Sequence, residues 1–207
     1  CKECIMNPVE NITLLINNLS KKENINHSQK QEIIPLVSEG HARCIIIHSG
    51  TFGVYRREER LLLRVIEGPE ILGVASIFQH IGMEQYESLY LYTYTSIDYE
   101  FIDPLQFSRI VSERNLWEPA MLHFGHLLSE AVNSLKNYTG RDTKALVTRA
   151  LLALSSHSEE FRRKIIASDY IKERTSLSRS VIMKILKQLR DEGKIEIEKG
   201  ILIKTTL

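Results

Sequence analysis

The sequence predicts an α+β chain in three parts: an N-terminal β jelly roll (a double-stranded β-helix), a long helix, and a C-terminal winged helix-turn-helix. Three observations predict it. Between residues 32 and 102, short runs rich in Ile, Val, Leu and Tyr follow one another, separated by Gly, Pro, Asp and Ser. After Asp103-Pro104 the apolar period lengthens to that of a helix. The last third contains "LSRSVIMKILKQLRDEGKIEIEKG" (177–200), where a basic helical stretch stops at Gly193 and alternating Ile and Glu take over. The corresponding parts are residues 1–113, 114–140 and 141–207.

Taken in order, Ile12, Leu15, Ile16 and Leu19 have helical spacing and predict a helix over 5–20, with the polar run 20–31 as a connector. "CIIIHSG", "TFGVYRR", "RLLLRVI", "EILGVAS", "SLYLYTYT" and "IDYEFID" then read as strands with short turns, the pattern of a sandwich or barrel. The bulky residues of "LYLYTYTS" are too continuous for a strand with one wet face, so both faces are expected to be covered. One helix is predicted over 104–113. A longer one runs from near Trp117 and Pro119 to Tyr138, closed by Gly140. Within it Met121, Phe124, Leu128, Ala131, Leu135 and Tyr138 recur at alternating intervals of three and four, an unbroken a/d seam. Such a seam lies either on the chain's own sheet or on a second copy. Leu122, Leu127 and Val132 widen the apolar surface, which favours a homodimer with those six residues at its interface. Residues 143–157 carry a further helical pattern through Ala145, Leu146, Ala150, Leu151 and Leu154.

In the last part Ser168-Asp169 is placed to cap a short helix reaching Arg174. "TSLS" makes a tight break, and Ser178 is placed to cap the next helix. There Ile182, Ile185, Leu186 and Leu189 make one buried stripe, leaving Arg179, Ser180, Met183, Lys184 and Lys187 on other faces. Two helices joined by a three- or four-residue turn, the second basic at its start, form a helix-turn-helix. The major groove admits such a helix, whose first residues reach base edges while neighbouring cations meet phosphates. "KIEIE", Lys199-Gly200 and "ILIKT" complete a two-stranded wing that puts Lys199 near the same backbone. The candidate DNA-binding residues are therefore Ser178, Arg179, Ser180, Met183, Lys184, Lys187 and Lys199. A basic helix and hairpin can also be plain surface, or dock a protein instead of DNA.

Charge distribution supports the nucleic-acid reading. Residues 141–207 hold 15 Lys or Arg against 9 Asp or Glu, whereas residues 1–140 hold 12 against 17. A hydrophobic fraction of 43% and a charged fraction of 26% suit a soluble globular protein. No apolar run has the length of a membrane span and no signal peptide is apparent, so a cytoplasmic location without membrane partner is expected. The chain opens on Cys1 rather than Met, which reads as a trimmed start. Three cysteines, Cys1, Cys4 and Cys44, argue against a disulfide framework, while a thiol redox response through Cys4 or Cys44 stays open. There is no phosphate-cradling loop, nucleophile elbow or metal-protease motif, so no enzyme is expected.

The order of jelly roll, long helix and winged helix-turn-helix resembles the cyclic-AMP receptor protein and FNR (CRP/FNR) family of bacterial regulators, and the resemblance covers nearly the whole chain. Its closest motif, "LSRSVIMKILKQLRDEGKI", is similar to the family's Ser-Arg-x-x-Val-x-Arg-x-Leu recognition helix. The resemblance implies that Arg179 reads a guanine and that Lys184 stands where a second base- or phosphate-contacting Arg is common. Ser180 replaces a frequent acidic residue, so the target sequence should differ, and Ser176 replaces the usual Gly of the turn. "LWEPAMLHF", "YIKERTSLSRSV" and "KGILI" are similar to the enterobacterial IprA branch, the inhibitors of hydrogen peroxide resistance, implying a part in oxidative-stress gene control.

The same resemblance gives the first part a cyclic-nucleotide-binding-like fold. Where nucleotide-binding members have Gly-Glu, this chain has Gly73-Val74, and no Lys or Arg lies between Arg64 and Arg109. A buried phosphate needs a cation or a cluster of donors in place of its water, so no cyclic nucleotide is expected. Cys1-x-x-Cys4 is half of an iron–sulfur motif, and only Cys44 remains to add to it. His123 and His126 are spaced to share a metal, but no acidic or sulfur ligand accompanies them nearby. No cofactor and no metal is therefore expected. The expected function is a homodimeric, sequence-specific transcriptional regulator whose partners are double-stranded DNA, a second copy and, for such a regulator, RNA polymerase. A jelly roll that binds another small ligand, such as an apolar or aromatic acid, is the alternative.

Overall fold

A computed structural model describes residues 8–38, 41–77, 88–138 and 142–207. Cys1, Cys4 and Gly140 lie outside the described residues. The chain divides into two units, 1–57 with 64–131 and 58–63 with 132–207.

The first unit is built on two four-stranded antiparallel sheets. One has the order β1 (Asn26–Ser28), β10 (Ile97–Ile102), β5 (Cys44–Ser49), β8 (Glu70–Leu72). The other has the order β2 (Ile33–Pro35), β9 (Leu89–Thr93), β6 (Thr51–Arg56), β7 (Leu61–Glu67), and β3 (Val37–Ser38) pairs with β4 (His41–Ala42) as a separate ribbon. This is the expected jelly roll. The polar run 20–31 is more than a connector, because β1 lies within it. Its side chains are mostly wet, but its backbone pairs with β10, so the strand is specified by hydrogen bonds and not by an apolar pattern.

Burial on two sides explains the continuous apolar run of β5. Ile45 and Ile47 enter the space between the sheets with Ile34, Phe52, Ile66, Leu91 and Ile97. Cys44 and Ile46 point the other way, into a second core with Ile71, Val74 and Ile102. That second core is closed by α1 (Pro8–Leu19), through Ile12, Leu15, Ile16 and Leu19, and by Phe107 and Val111 of α2 (Pro104–Glu113). Asp103 caps α2, its Oδ1 accepting the N–H groups of Leu105 and Gln106 at 2.8 and 3.0 Å. In β9 Leu91 and Thr93 are fully buried, while the alternate Tyr90 stacks on Tyr55 at 5.4 Å, so covering of both faces holds there too.

The long helix α3 (Trp117–Tyr138) splits its surface. Ala120 joins the α1–α2 core, and the buried His123 donates from Nε2 to the Ile71 carbonyl at 2.8 Å. Met121, Leu122, Leu128 and Val132 are left exposed. Ala131 is exposed and Phe124 half-buried, while the side chains of Leu135 and Tyr138 lie outside the description.

The second unit packs α4 (Thr143–Ser155), the one-turn α5 (Glu159–Arg162), α6 (Ala167–Thr175) and α7 (Arg179–Asp191) with the hairpin β11 (Ile195–Glu198) and β12 (Ile201–Thr205). Val147, Leu151, Leu154, Ile171, Ile182 and Leu189 are among its fully buried side chains.

Candidate nucleic-acid interface

The two helices of the candidate site are fixed by their caps and by one apolar stripe. α6 ends at Ser176, which takes the left-handed conformation (φ 55°, ψ 16°) and bonds its N–H to the Lys172 carbonyl at 2.9 Å. Glycine adopts this geometry without the steric cost that a Cβ adds, on the order of 1 kcal/mol. Ser176 therefore holds the left-handed turn at that cost. Ser178 is the N-cap of α7 as expected, its hydroxyl accepting the Val181 N–H at 3.4 Å. Ile182, Ile185, Leu186 and Leu189 are all buried, which fixes the rotation of α7 and turns Arg179, Ser180, Met183, Lys184 and Lys187 to the surface.

The start of α6 departs from expectation. Ser168-Asp169 does not cap it; Ile166 occupies the N-cap position without a side-chain bond, and Ser168 is buried. The Ala167 N–H is satisfied by the Gly200 carbonyl at 2.8 Å, so the wing supplies the cap. Lys199 and Gly200 form the two-residue turn between β11 and β12 with φ of 48° and 86°, the combination of a type I′ hairpin. A Cβ on Gly200 would come within 3.2 Å of the Ile166 side chain, so glycine there serves both the turn and the docking of the wing. Lys199 is exposed at the tip.

These contacts create a groove of about 400 Å³ between α7, the wing and the start of α6. Arg179, Met183 and Lys187 line it at intervals of four, and Lys199 faces them from the wing. Arg190 continues the same helical row, and Asp169 enters from α6. Neither belongs to the candidate set that the sequence predicts. Arg190 was legible in principle, three positions beyond Lys187 on one face, whereas Asp169 comes to the groove from a different helix. Arg179 Nη1 and Asp169 Oδ1 are 3.6 Å apart. Ser178 and Ser180 pair through their hydroxyls at 3.0 Å. Lys184 is exposed but does not line the groove. At the far end of α7, Glu192 accepts from Lys144, Lys194 and Gln188 at 2.9, 2.9 and 2.8 Å, and these donors pull its carboxyl down to about 2. That cluster ties the last turn of α7 to α4.

In the jelly roll, Gly73 has φ 79° and lies so close to the Arg43 carbonyl that a Cβ would collide with it. Val74 is buried in the α1–α2 core. Cys44 Sγ donates to the Gly73 carbonyl at 3.3 Å, and burial pushes the thiol up to about 11. It is thus a protonated core residue at neutral pH, with little of the thiolate that a redox response requires. His123 faces the buried Glu70 at 3.5 Å, with Arg64 on the other carboxylate oxygen at 3.6 Å. Burial raises the Glu70 carboxyl and lowers the His123 imidazole, so both are pushed toward their neutral forms. Among the described residues no group of three or more His, Cys, Asp or Glu is arranged to hold a metal ion. No helix among them is long and apolar enough to cross a membrane.

Compared with known proteins, residues 144–206 match the family described as winged helix-turn-helix DNA binding. The inhibitor of hydrogen peroxide resistance of Salmonella typhimurium is 27% identical over 175 residues, 84% of this chain and 81% of that protein. The protein of the same name from Escherichia coli K12 is 27% identical over 151 residues, 72% of this chain and 70% of that one. Among solved structures, the c-di-GMP responsive global regulator of Xanthomonas campestris matches at a TM-score of 0.71 and 12% identity, covering 96% of this chain and 100% of that one. A CRP/FNR family transcriptional regulator of Thermus thermophilus matches at 0.61 and 19% identity, over 87% and 93%. The fold is thus that of the CRP/FNR regulators, ending in a winged helix-turn-helix of the DNA-binding kind.

Proposed function

We infer that this chain, a DNA-binding transcriptional regulator of the CRP/FNR type, reads its operators as a homodimer and does so without a cyclic nucleotide. The observation that carries the DNA reading is the groove itself. One helix buries its whole apolar stripe and turns Arg179, Lys187 and Arg190 toward a wing whose tip is Lys199. Cations converging from two elements suit a phosphodiester backbone, and a guanidinium in the first turn suits a guanine edge. Ser178, Ser180, Met183 and Lys184 sit on or beside the same face and complete the reading surface.

Dimerisation is supported by the exposed half of α3, where Met121 and Leu128 are 56% and 55% accessible in the single chain. An isolated apolar row of this kind is unusual on a finished surface. With Phe124 and Ala131 from the described part, and Leu135 and Tyr138 from the sequence pattern, it forms the proposed seam. A two-fold pair would present two recognition helices to half-sites one helical turn apart. Independence from cyclic nucleotide is supported by Val74 in the core and by the cation-free stretch between Arg64 and Arg109. The name shared by the two enterobacterial relatives supports a part in oxidative-stress gene control, with RNA polymerase as the further partner such control requires. The protein is non-enzymatic on this reading. Footprinting on genomic fragments, with and without peroxide, tests it. Protected two-fold symmetric sites are expected; uniform binding that tracks only DNA length would remove the sequence-specific role.

A further inference from the structure

Resting on the reading of α7 as the base-reading helix, we propose that Asp169 is a positioning residue for recognition: its carboxylate holds the Arg179 guanidinium toward the base edge and keeps it off the phosphates. Asp169 is the one carboxylate among the described residues lining a groove that also holds Arg179, Lys187, Arg190 and Lys199. A negative charge on a face that meets a polyanion opposes binding. Its gain in fold stability is small, because both side chains are largely exposed (56% for Asp169, 70% for Arg179) and ion pairs of this kind contribute little. Placement in the first turn of α6 suits the helix dipole, but that would be met equally by a side chain pointing away from α7.

The geometry instead aims it at the reading arginine. Asp169 Oδ1, in the first turn of α6, stands 3.6 Å from Arg179 Nη1, in the first turn of α7. Ser180, where a neighbouring acid would be the local alternative, has its hydroxyl turned to Ser178 at 3.0 Å. The acid that orients the arginine therefore comes from the preceding helix. A guanidinium has five N–H donors, and a bidentate contact to guanine O6 and N7 uses two of them. The remaining edge stays free for Asp169, so the base contact and the carboxylate contact are compatible. Contact with a phosphate is open to Arg179 on any sequence, and the carboxylate competes with it. Asp169 thus lowers affinity for every wrong duplex more than for the right one.

The test measures binding to the consensus duplex that the wild-type full chain selects from a randomised pool, and to the same duplex with the most strongly selected guanine pair of each half-site replaced by adenine–thymine. Asp169→Asn should bind the substituted duplex roughly fivefold more tightly, about the size of one water-screened charge contact, while on the consensus the relief of repulsion is offset by the looser hold on Arg179. The ratio of the two affinities therefore drops by about that factor. In an Arg179→Ala background the same Asp169→Asn change should raise both affinities equally. An unchanged ratio for Asp169→Asn, with Arg179→Ala losing the preference, would overturn the positioning role and leave the base reader intact. If Arg179→Ala keeps the preference, the reading of α7 falls and the role of Asp169 falls with it. Thermal denaturation of each variant separates these outcomes from a loss of fold.

Discussion

Replacing Leu128 measures the proposed seam directly. Leu128 is 55% exposed in the single chain, so pairing would remove about half a leucine side chain from water, worth about 1 kcal/mol. The two-fold axis counts this twice. Leu128→Ala should therefore weaken association by about 2 kcal/mol, roughly a 30-fold rise in the dimer dissociation constant. Leu128→Glu is harsher, since it places two unpartnered carboxylates in the same contact, at a cost of several kcal/mol per ion. Sedimentation equilibrium over a wide concentration range reads both changes. The Glu variant should run as a folded monomer with an unshifted melting transition of the single chain and poor DNA affinity, because one half-site alone is engaged. A Glu variant that dimerises as tightly as the wild type would refute the assignment of α3 as the seam.

Three further outcomes follow from the site and the core. Lys187→Ala should weaken all duplexes about equally and reduce the salt slope by roughly one counterion, as measured by titrations at several ionic strengths; a change confined to one sequence would make Lys187 a base reader. Cyclic AMP and cyclic GMP should give no saturable heat in calorimetry at micromolar concentration, and a saturable isotherm would place a phosphate site in the jelly roll. Cys44, pushed up to about 11 from 9.0 by burial, keeps its proton in the folded chain after the unfolded one has lost it. Stability should therefore be fully present below pH 9 and fall by about 2 to 3 kcal/mol as pH rises to 11. Cys44→Ala, followed by denaturant melts, should abolish that part of the alkaline loss, and an unchanged pH profile would contradict the burial effect.

What was legible in the sequence followed from how far each pattern reaches. The strand of Cys44–Ser49 could be read because both faces are buried and every residue from Cys44 to Ile47 is apolar. Helix α7 and the wing could be read because their periods, 3.6 and then 2, change sharply at Gly193. Glu159–Arg162 is a single turn and too short to show a period. Asn26–Ser28 carries no apolar signal because backbone bonds to a distant strand define it. The cap of α6 escaped for a related reason. Ser168-Asp169 is a sound local capping pair, but the wing carbonyl of Gly200 competes successfully for the Ala167 N–H, and that contact spans 33 positions of sequence. Asp169, released from capping, is the residue that meets Arg179. Through-space pairs of this kind leave no mark on a single sequence.

Selection from randomised duplex DNA, run in parallel on the wild type and on Arg179→Ala, tests the central claim that α7 reads bases. The wild type should yield a two-fold symmetric consensus with half-sites one helical turn apart. Arg179→Ala should flatten one guanine position in each half-site, a discrimination worth roughly 1 to 3 kcal/mol, and leave the other positions in place. The same consensus from both proteins, or no enrichment from either, would contradict it.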